Sequence, residues 1–378
     1  MHSPPGAETM LNGQPYLYFA GTGYLGLQGH PLLVQAAAQA AMQFGVHTAT
    51  SRSGFGTCPP VLEVERRAAE LLSTEAACYL VSGYAGNFAV CAAISEHVDL
   101  ALLDESAHDC LREAMRWLDG LKGGPLYFRH RDAGHVAELL AANLEPGWRA
   151  LVMTDGVFPT SGHLAPLADY LSILDRYEGS MLLVDDAHGL AVLGDCGRGS
   201  LELAGIAPGR INRLDDETDG GAHVFHSTTL SKAVGGHGGA IAGSRTFLDG
   251  VCRASGWLRA ASAPAAPVAA ATAKGLEIVQ GDPGLRRQLA ANTRAMRSGL
   301  RSLGLDVAES PSPIVGVSLA SADLMQAVQH KLAAEGIVIA YARDYAGAGP
   351  LGMLRIAVFA THTPEMIDRL VEALRRAI

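Results

Sequence analysis

Short apolar runs alternate with stretches of helical periodicity along most of the chain. The runs at 16–19, 77–81, 99–103, 150–153, 181–184, 224–227 and 239–242 are too short for helices and end at glycine or acidic turns, so they read as buried strands. Between them, apolar residues spaced three and four apart predict helices over 30–44, 59–73, 86–94, 110–118 and 167–177. Gly45 stops the first, and Pro59 opens the second at a position where a missing N–H does no harm. Strands alternating with helices predict an α/β fold: a doubly wound, mainly parallel sheet covered on both faces.

Past the Ala263-Pro264-Ala265-Ala266-Pro267 stretch the pattern changes. A long helical pattern runs from 268 to about 303, with Gly304 as its stop. Strands at 314–319, 338–342 and 354–358 and helices at 322–335 and 364–377 follow. This is a second, smaller C-terminal α/β domain. The expected division is an N-terminal segment 1–45, a large domain 46–255 and a small domain 256–378. The 378 residues agree with two domains at roughly 150 residues each.

Composition narrows the function classes. Hydrophobic residues make up 48% and charged residues 18%, enough apolar matter for a large core. The 44 glycines follow no G-X-Y period and so indicate turns and close backbone approaches. Net charge is -9 and no basic block occurs, which excludes a nucleic-acid partner. Arg286, Arg287, Arg294, Arg297 and Arg301 follow a helical pattern and read as a solvated face. The acidic stretch 212–221 reads as a surface loop. No apolar run reaches the ~18–20 residues of a membrane span. The six cysteines form no CxxC pair, and the N-terminus lacks the basic and apolar regions of a signal peptide. Reduced, buried thiols in a cytoplasmic protein are expected, with no metal site.

Four short segments carry chemistry. Lys232 lies between an apolar strand and the turn Gly235-Gly236-His237-Gly238-Gly239. Desolvation there would lower its amine pKa, as a Schiff-base lysine requires, and Thr229 and Ser231 offer hydroxyls to a phosphate. A surface lysine in a glycine turn reads equally well. Asp185 ends an apolar strand where ligands bind such sheets, with His188 three residues on. It could instead cap the next turn. Ser82-Gly83-Tyr84 joins a strand to a helix start, an arrangement that suits an anion but is common. His108 follows a strand and could stack on a flat ring, although a lone loop histidine is more often structural.

Taken in order, phosphate turn, ring-stacking histidine, Asp-x-x-His and lysine preceded by threonine resemble the α-oxoamine synthases, a group of the fold-type I pyridoxal-phosphate (PLP) enzymes. Members of that family include 8-amino-7-oxononanoate synthase and 2-amino-3-ketobutyrate CoA ligase. Further matches are Tyr24-Leu25-Gly26-Leu27 with His30-Pro31, Ser51-Arg52 with Gly56-Thr57, Gly156-Val157-Phe158 with Ala165-Pro166-Leu167, and Leu354-Arg355-Ile356 with Thr361-His362-Thr363. The resemblance runs from about residue 17 to the end.

It implies pyridoxal 5′-phosphate held by Lys232, with Asp185 on the ring nitrogen, His108 stacked on the ring and His188 on its oxygen. Ser82, Gly83, Tyr84 and Thr229 would hold the phosphate, and Arg355 the amino-acid carboxylate. The implied reaction condenses an amino acid with an acyl thioester, delivered by CoA or an acyl carrier protein, and loses carbon dioxide to give an α-amino ketone. A homodimer with shared active sites is implied, with Ser262 standing where the family's second subunit supplies a phosphate-binding threonine.

The chain departs from the family in four places. Thr22 replaces an asparagine that helps hold the substrate carboxylate. Pro159 replaces a serine beside the cofactor oxygen, leaving Thr160 or Ser161 as substitutes. Ser262 lies in an altered TSLPP-like segment. The resemblance begins almost at Met1, without the helix that in oxononanoate synthases helps bind the pimeloyl carboxylate, so pimeloyl-CoA is not assumed. Transamination, another PLP reaction on the same fold, and PLP binding with little catalysis remain as alternatives.

Overall fold

A computed structural model describes residues 1–214 and 221–378. Its centre is a seven-stranded sheet. From one edge to the other, the strands are Ala76–Leu80, Gly239–Gly243, His223–Thr229, Met181–Asp185, Ala150–Asp155, Leu100–Asp104 and Leu126–Phe128. Gly239–Gly243 runs antiparallel to both neighbours, and the other pairings are parallel. The fold is that of the fold-type I PLP transferases, as expected.

Both faces of the sheet are buried, which explains the continuous apolar runs. Leu103, Met153, Leu183 and Phe225 pack on one face with helix Tyr84–Ile94. Leu102, Val152, Val184 and Val224 pack on the other with helix Leu167–Leu174. Strand alternation is therefore present but hidden, because both sides are apolar.

The smaller C-terminal sheet orders Ile314–Val317, Met353–Ala357 and Ala340–Ala342, all antiparallel. The predicted strand 338–342 is instead two strands in two sheets. Ile337–Val338 pairs with Gln14–Tyr18 of the N-terminal segment, and Ala340–Ala342 pairs with Met353–Ala357. Gln14–Tyr18 also forms a hairpin with Glu8–Leu11 through Asn12 and Gly13, both at positive φ. That Asn-Gly turn is a strong hairpin signal that the sequence reading passed over. The edge strand Leu126–Phe128 and helices Ala133–Asn143 and Arg245–Ala254 were also not expected.

The predicted helix over 268–303 is two helices, Ala266–Gly281 and Pro283–Ser302. Pro283 cannot continue a helix. Asp282 ends the first and caps the second, its carboxylate accepting from Gly284 N at 2.8 Å. Arg297 is not on a solvated face: it is 4% exposed and donates to the carbonyls of Ala308, Ser312 and Ile314. Burial pulls its guanidinium down to about 10.

The predicted loop 212–221 begins with a buried wedge rather than surface. Asn212 is fully buried at φ +53° and donates to the carbonyls of His226 and Ala242 at 2.8 and 2.7 Å. It thus ties two neighbouring strands together where their own ladder has parted. The acidic residues 215–220 lie outside the described residues. Of the six free cysteines, Cys196 is exposed and Cys252 only partly buried, against the expectation that all are buried. Among the described residues, no helix is long and apolar enough to cross a membrane.

Candidate active site

The parallel strands deliver their last residues to one end of the sheet, where ligands bind in folds of this kind. Asp185 ends Met181–Asp185 and lies level with Asp155 on the next strand. It is 6% exposed and well supplied with donors. Its Oδ2 accepts from Asn87 Nδ2 at 2.7 Å and from Cys110 Sγ at 3.0 Å, and its Oδ1 from Ala187 N at 2.9 Å. Asn87, on helix Tyr84–Ile94, is oriented in turn by Ser227 Oγ at 2.6 Å. These donors fix the carboxylate in one orientation.

Lys232 lies in the tight connection between His223–Thr229 and Gly239–Gly243. Leu230 N bonds Gly238 O at 2.9 Å, and Gln28 Nε2 bonds Lys232 O at 2.6 Å. Gly235, at φ +76°, passes so close to Leu27 that a Cβ would fall 2.5 Å from the Leu27 Cβ. The Lys232 amine sits 2.8 Å from His188 Nε2. His188 Nδ1 sits 2.7 Å from Tyr24 Oη, which accepts from Arg355 Nη2 at 3.2 Å.

A linear chain of contacts therefore runs Arg355–Tyr24–His188–Lys232. Burial holds the Lys232 amine below the usual lysine range, with Asp185 pulling the other way. Burial, then the Lys232 charge, holds His188 well below its usual value. If Tyr24 spends its one O–H on Nδ1, a neutral imidazole keeps its proton on Nε2. It then offers that proton to an uncharged amine.

Arg355 is 9% exposed on Met353–Ala357. Its Nε donates to Pro159 O at 2.6 Å and its Nη1 to Gly21 O at 2.9 Å. With the bond to Tyr24, three of the five guanidinium N–H groups are used. One remains on each terminal nitrogen, the pair that a carboxylate takes in bidentate fashion.

At the start of helix Tyr84–Ile94, Gly83 packs on Thr229, where a Cβ would lie 2.6 Å from the threonine Cβ. Ser82 Oγ accepts from Tyr84 N at 3.2 Å. Thr229 Oγ1 donates to Gly238 O at 3.0 Å. His108 caps helix Asp109–Ala114 by accepting from Cys110 N at 3.2 Å. The His108 N–H donates to Asp155 Oδ2 at 2.8 Å. Burial and the neighbouring Asp185 push the Asp155 carboxyl well above the carboxylate range.

The structure thus brings Ser82, Gly83, Tyr84, His108, Asp185, His188, Thr229, Lys232 and Arg355 to one end of the sheet. Three expected residues do not join them by side chain. Ser161 Oγ accepts from His163 N at 3.3 Å inside its own turn. Thr22 is half-buried, and its neighbour Gly21 supplies the carbonyl to Arg355. Ser262 is exposed and bridges Ser51 through its backbone. Neither Thr160 nor Ser161 replaces the serine lost at Pro159, because the Thr160 hydroxyl donates to Ala346 O at 2.8 Å. Asn87, Cys110, Asp155 and Tyr345 were not anticipated as site residues. Asn87, three residues past the start of its helix, carried the only available signal: an amide in an otherwise apolar helix.

The sequence profile of the aminotransferase class I and II family matches residues 17–374. The chain belongs to that family. Its members use PLP, and the resemblance to its α-oxoamine synthase branch has support along the whole chain. The chain is 34% identical over 376 residues to an 8-amino-7-oxononanoate synthase of Geotalea daltonii, covering 97% of this chain and 90% of the relative. It is 34% identical to another protein of that name from Methylocella silvestris, covering 97% and 98% of the two chains. Among solved structures, a serine palmitoyltransferase of Sphingomonas wittichii superposes with a TM-score of 0.88 at 26% identity, covering 98% of this chain and 89% of that one.

Proposed function

We propose that the protein binds pyridoxal 5′-phosphate and joins an amino acid to an acyl thioester, releasing the thiol and carbon dioxide and leaving an α-amino ketone. The observation that carries this reading is the amine of Lys232. It meets His188 rather than a carboxylate and lies at the same end of the sheet as Asp185 and Arg355. The residues suit the cofactor chemically. A buried carboxylate suits the ring nitrogen, and an uncharged amine suits the aldehyde. A helix start packed so tightly that only glycine fits at Gly83 suits the phosphate. Bound PLP would supply the electron sink that stabilises negative charge on the carbon next to the amino group.

The chain's residues then have separate tasks. Arg355 holds the amino-acid carboxylate on its two free N–H groups. Lys232, once displaced, takes the proton from the α-carbon and returns one after the new bond has formed. His188 and Tyr24 hold that amine in line with Arg355. The α-carbon attacks the thioester carbonyl, the C–C bond forms, the C–S bond breaks, and the thiolate leaves with a proton. The carboxylate is lost as carbon dioxide.

Two further expectations belong to this reading. The cofactor would be held by the domain 46–255, with the segment 1–45 and the domain 256–378 closing over it. A homodimer with shared sites is supported by the exposure of Ser262 and by Trp117 and Trp257, 42% and 43% exposed around Phe88 beside Tyr84. Cytoplasmic location and delivery of the acyl group by CoA or a carrier protein complete the proposal.

The test is to record the visible spectrum of the purified protein with PLP, titrate single amino acids, and then add acyl thioesters. Free thiol and carbon dioxide released in equal amounts are expected. Conversion of the cofactor to pyridoxamine phosphate would replace this reading with transamination. A protein that holds no chromophore after PLP addition would end it.

A further inference from the structure

We propose that Tyr345 and Cys110 are positioning residues that set which nitrogen of His108 carries the proton and, through it, how strongly Asp185 is hydrogen-bonded. The effect on the cofactor rests on the reading above, in which His108 and Asp185 bracket the ring; the contacts themselves do not. Tyr345 lies in the connection 343–352 between Ala340–Ala342 and Met353–Ala357. This connection is pinned where Thr160 Oγ1 donates to Ala346 O and where Tyr341 Oη donates to Leu351 O at 2.7 Å. Its phenol stands 2.9 Å from His108 Nε2, although the residue is 48% exposed. On the other side of the imidazole, Nδ1 stands 2.9 Å from Cys110 Sγ, which stands 3.0 Å from Asp185 Oδ2. An unbroken line of contacts thus leads from a solvent-facing phenol to a buried carboxylate.

Proton bookkeeping gives this line a direction. Burial lowers the His108 pKa, so the imidazole is neutral and has one N–H. The Cys110 backbone N–H points at Nδ1, which makes Nδ1 the acceptor. The proton is therefore on Nε2 and is donated to the Tyr345 oxygen. The single S–H of Cys110 is then divided between Nδ1 and Asp185. Removing the phenol oxygen frees the imidazole to hold its proton on Nδ1. That N–H would donate to the sulfur and leave the thiol hydrogen wholly to Asp185. Removing the thiol takes the donor from Asp185 altogether. The ionisable groups facing Asp185 are Lys232, Asp155, His108 and Cys110, and those facing Tyr345 are Arg355, Asp155, Cys110 and Asp109. None is altered by these substitutions beyond the one replaced.

The test uses Tyr345→Phe, Cys110→Ala, the double variant, and Cys110→Ser as the conservative control. Nitrogen-15 NMR of the histidine rings, without added cofactor, is expected to show His108 protonated on Nε2 in the parent and shifted toward Nδ1 in Tyr345→Phe. With PLP bound, the pH midpoint of its absorbance should move in opposite directions in Tyr345→Phe and Cys110→Ala, by on the order of one pH unit. Cys110→Ser should lie near the parent, and Tyr345→Phe should have no effect in the Cys110→Ala background. An Nδ1 proton in the parent, an unchanged His108 in Tyr345→Phe, or a Tyr345→Phe shift that persists without Cys110 would overturn the proposal. Because the NMR reading needs no cofactor, a protein that fails to bind PLP but shows the His108 response would sink the functional reading alone.

Discussion

Replacing Tyr24 by phenylalanine removes one oxygen and changes nothing else in the packing of a residue that is 0% exposed. That oxygen accepts from Arg355 Nη2 at 3.2 Å and lies 2.7 Å from His188 Nδ1. Each buried partner left without its hydrogen bond costs about 1–3 kcal/mol. The two together predict a loss of folding stability of about 2–4 kcal/mol, since Arg355 keeps its bonds to Pro159 O and Gly21 O. The same bonds aim Arg355 at the amino acid and His188 at the Lys232 amine. Loosening both should lower kcat/KM for the amino acid by about 10–100-fold, or about 1.4–2.8 kcal/mol of transition-state stabilisation. The assay is steady-state thiol release at varied amino acid, with urea denaturation alongside. A rise in KM would report Arg355, and a fall in kcat would report the proton transfer at Lys232. A kcat/KM within twofold of the parent would refute the idea that the Arg355–Tyr24–His188–Lys232 line organises the site.

Arg355→Lys keeps a charge but cannot present two parallel N–H groups, so kcat/KM for the amino acid should fall by about 100-fold, mainly through KM. Asn212→Ala strands the carbonyls of His226 and Ala242 and the N–H of His226, and puts alanine at φ +53°; a destabilisation of about 3–5 kcal/mol by urea midpoint is expected. His362 is 2% exposed, and burial holds its imidazole at about 4 against an ordinary 6.5. The unfolded chain binds the extra proton between those values, so this stability is fully present above about pH 6.5 and is lost as pH falls toward 4, by up to about 3 kcal/mol. A His362→Asn variant should show a flatter stability profile over that range.

Residues that act through their place in the chain were legible in the sequence. Asp185 and Lys232 each sit where a strand meets a turn, and strand ends are readable from apolar runs. The line of helices and strands was legible for the same reason. Residues that act through a neighbour distant in sequence were not. Tyr345 reaches His108 across more than half the chain, and nothing in the run around Tyr345 marks it out. The Ser161 hydroxyl looked available in sequence because its capture by His163 N depends on the turn's backbone angles. The helix break at Pro283 was legible and was overrun by a strong helical pattern on both sides. Asn212 was hidden by its company, since an acidic run suggests solvent while the first residue of that run is a wedge between strands.

The order of strands in the central sheet also dictates when the molecule can finish itself. Ala76–Leu80 finds its partner only at Gly239–Gly243, and Gln14–Tyr18 gains its second neighbour only at Ile337–Val338. During synthesis from the N-terminus, the inner strands Leu100–Asp104, Ala150–Asp155 and Met181–Asp185 can zip up one after another. Meanwhile Ala76–Leu80 waits with an open edge for a segment not yet made. Such distant pairings slow folding and leave unpaired edges open to other chains. A chain that stops short of Ile337 would leave the N-terminal hairpin without its third strand, so expression of truncated forms should yield aggregate before it yields a smaller enzyme.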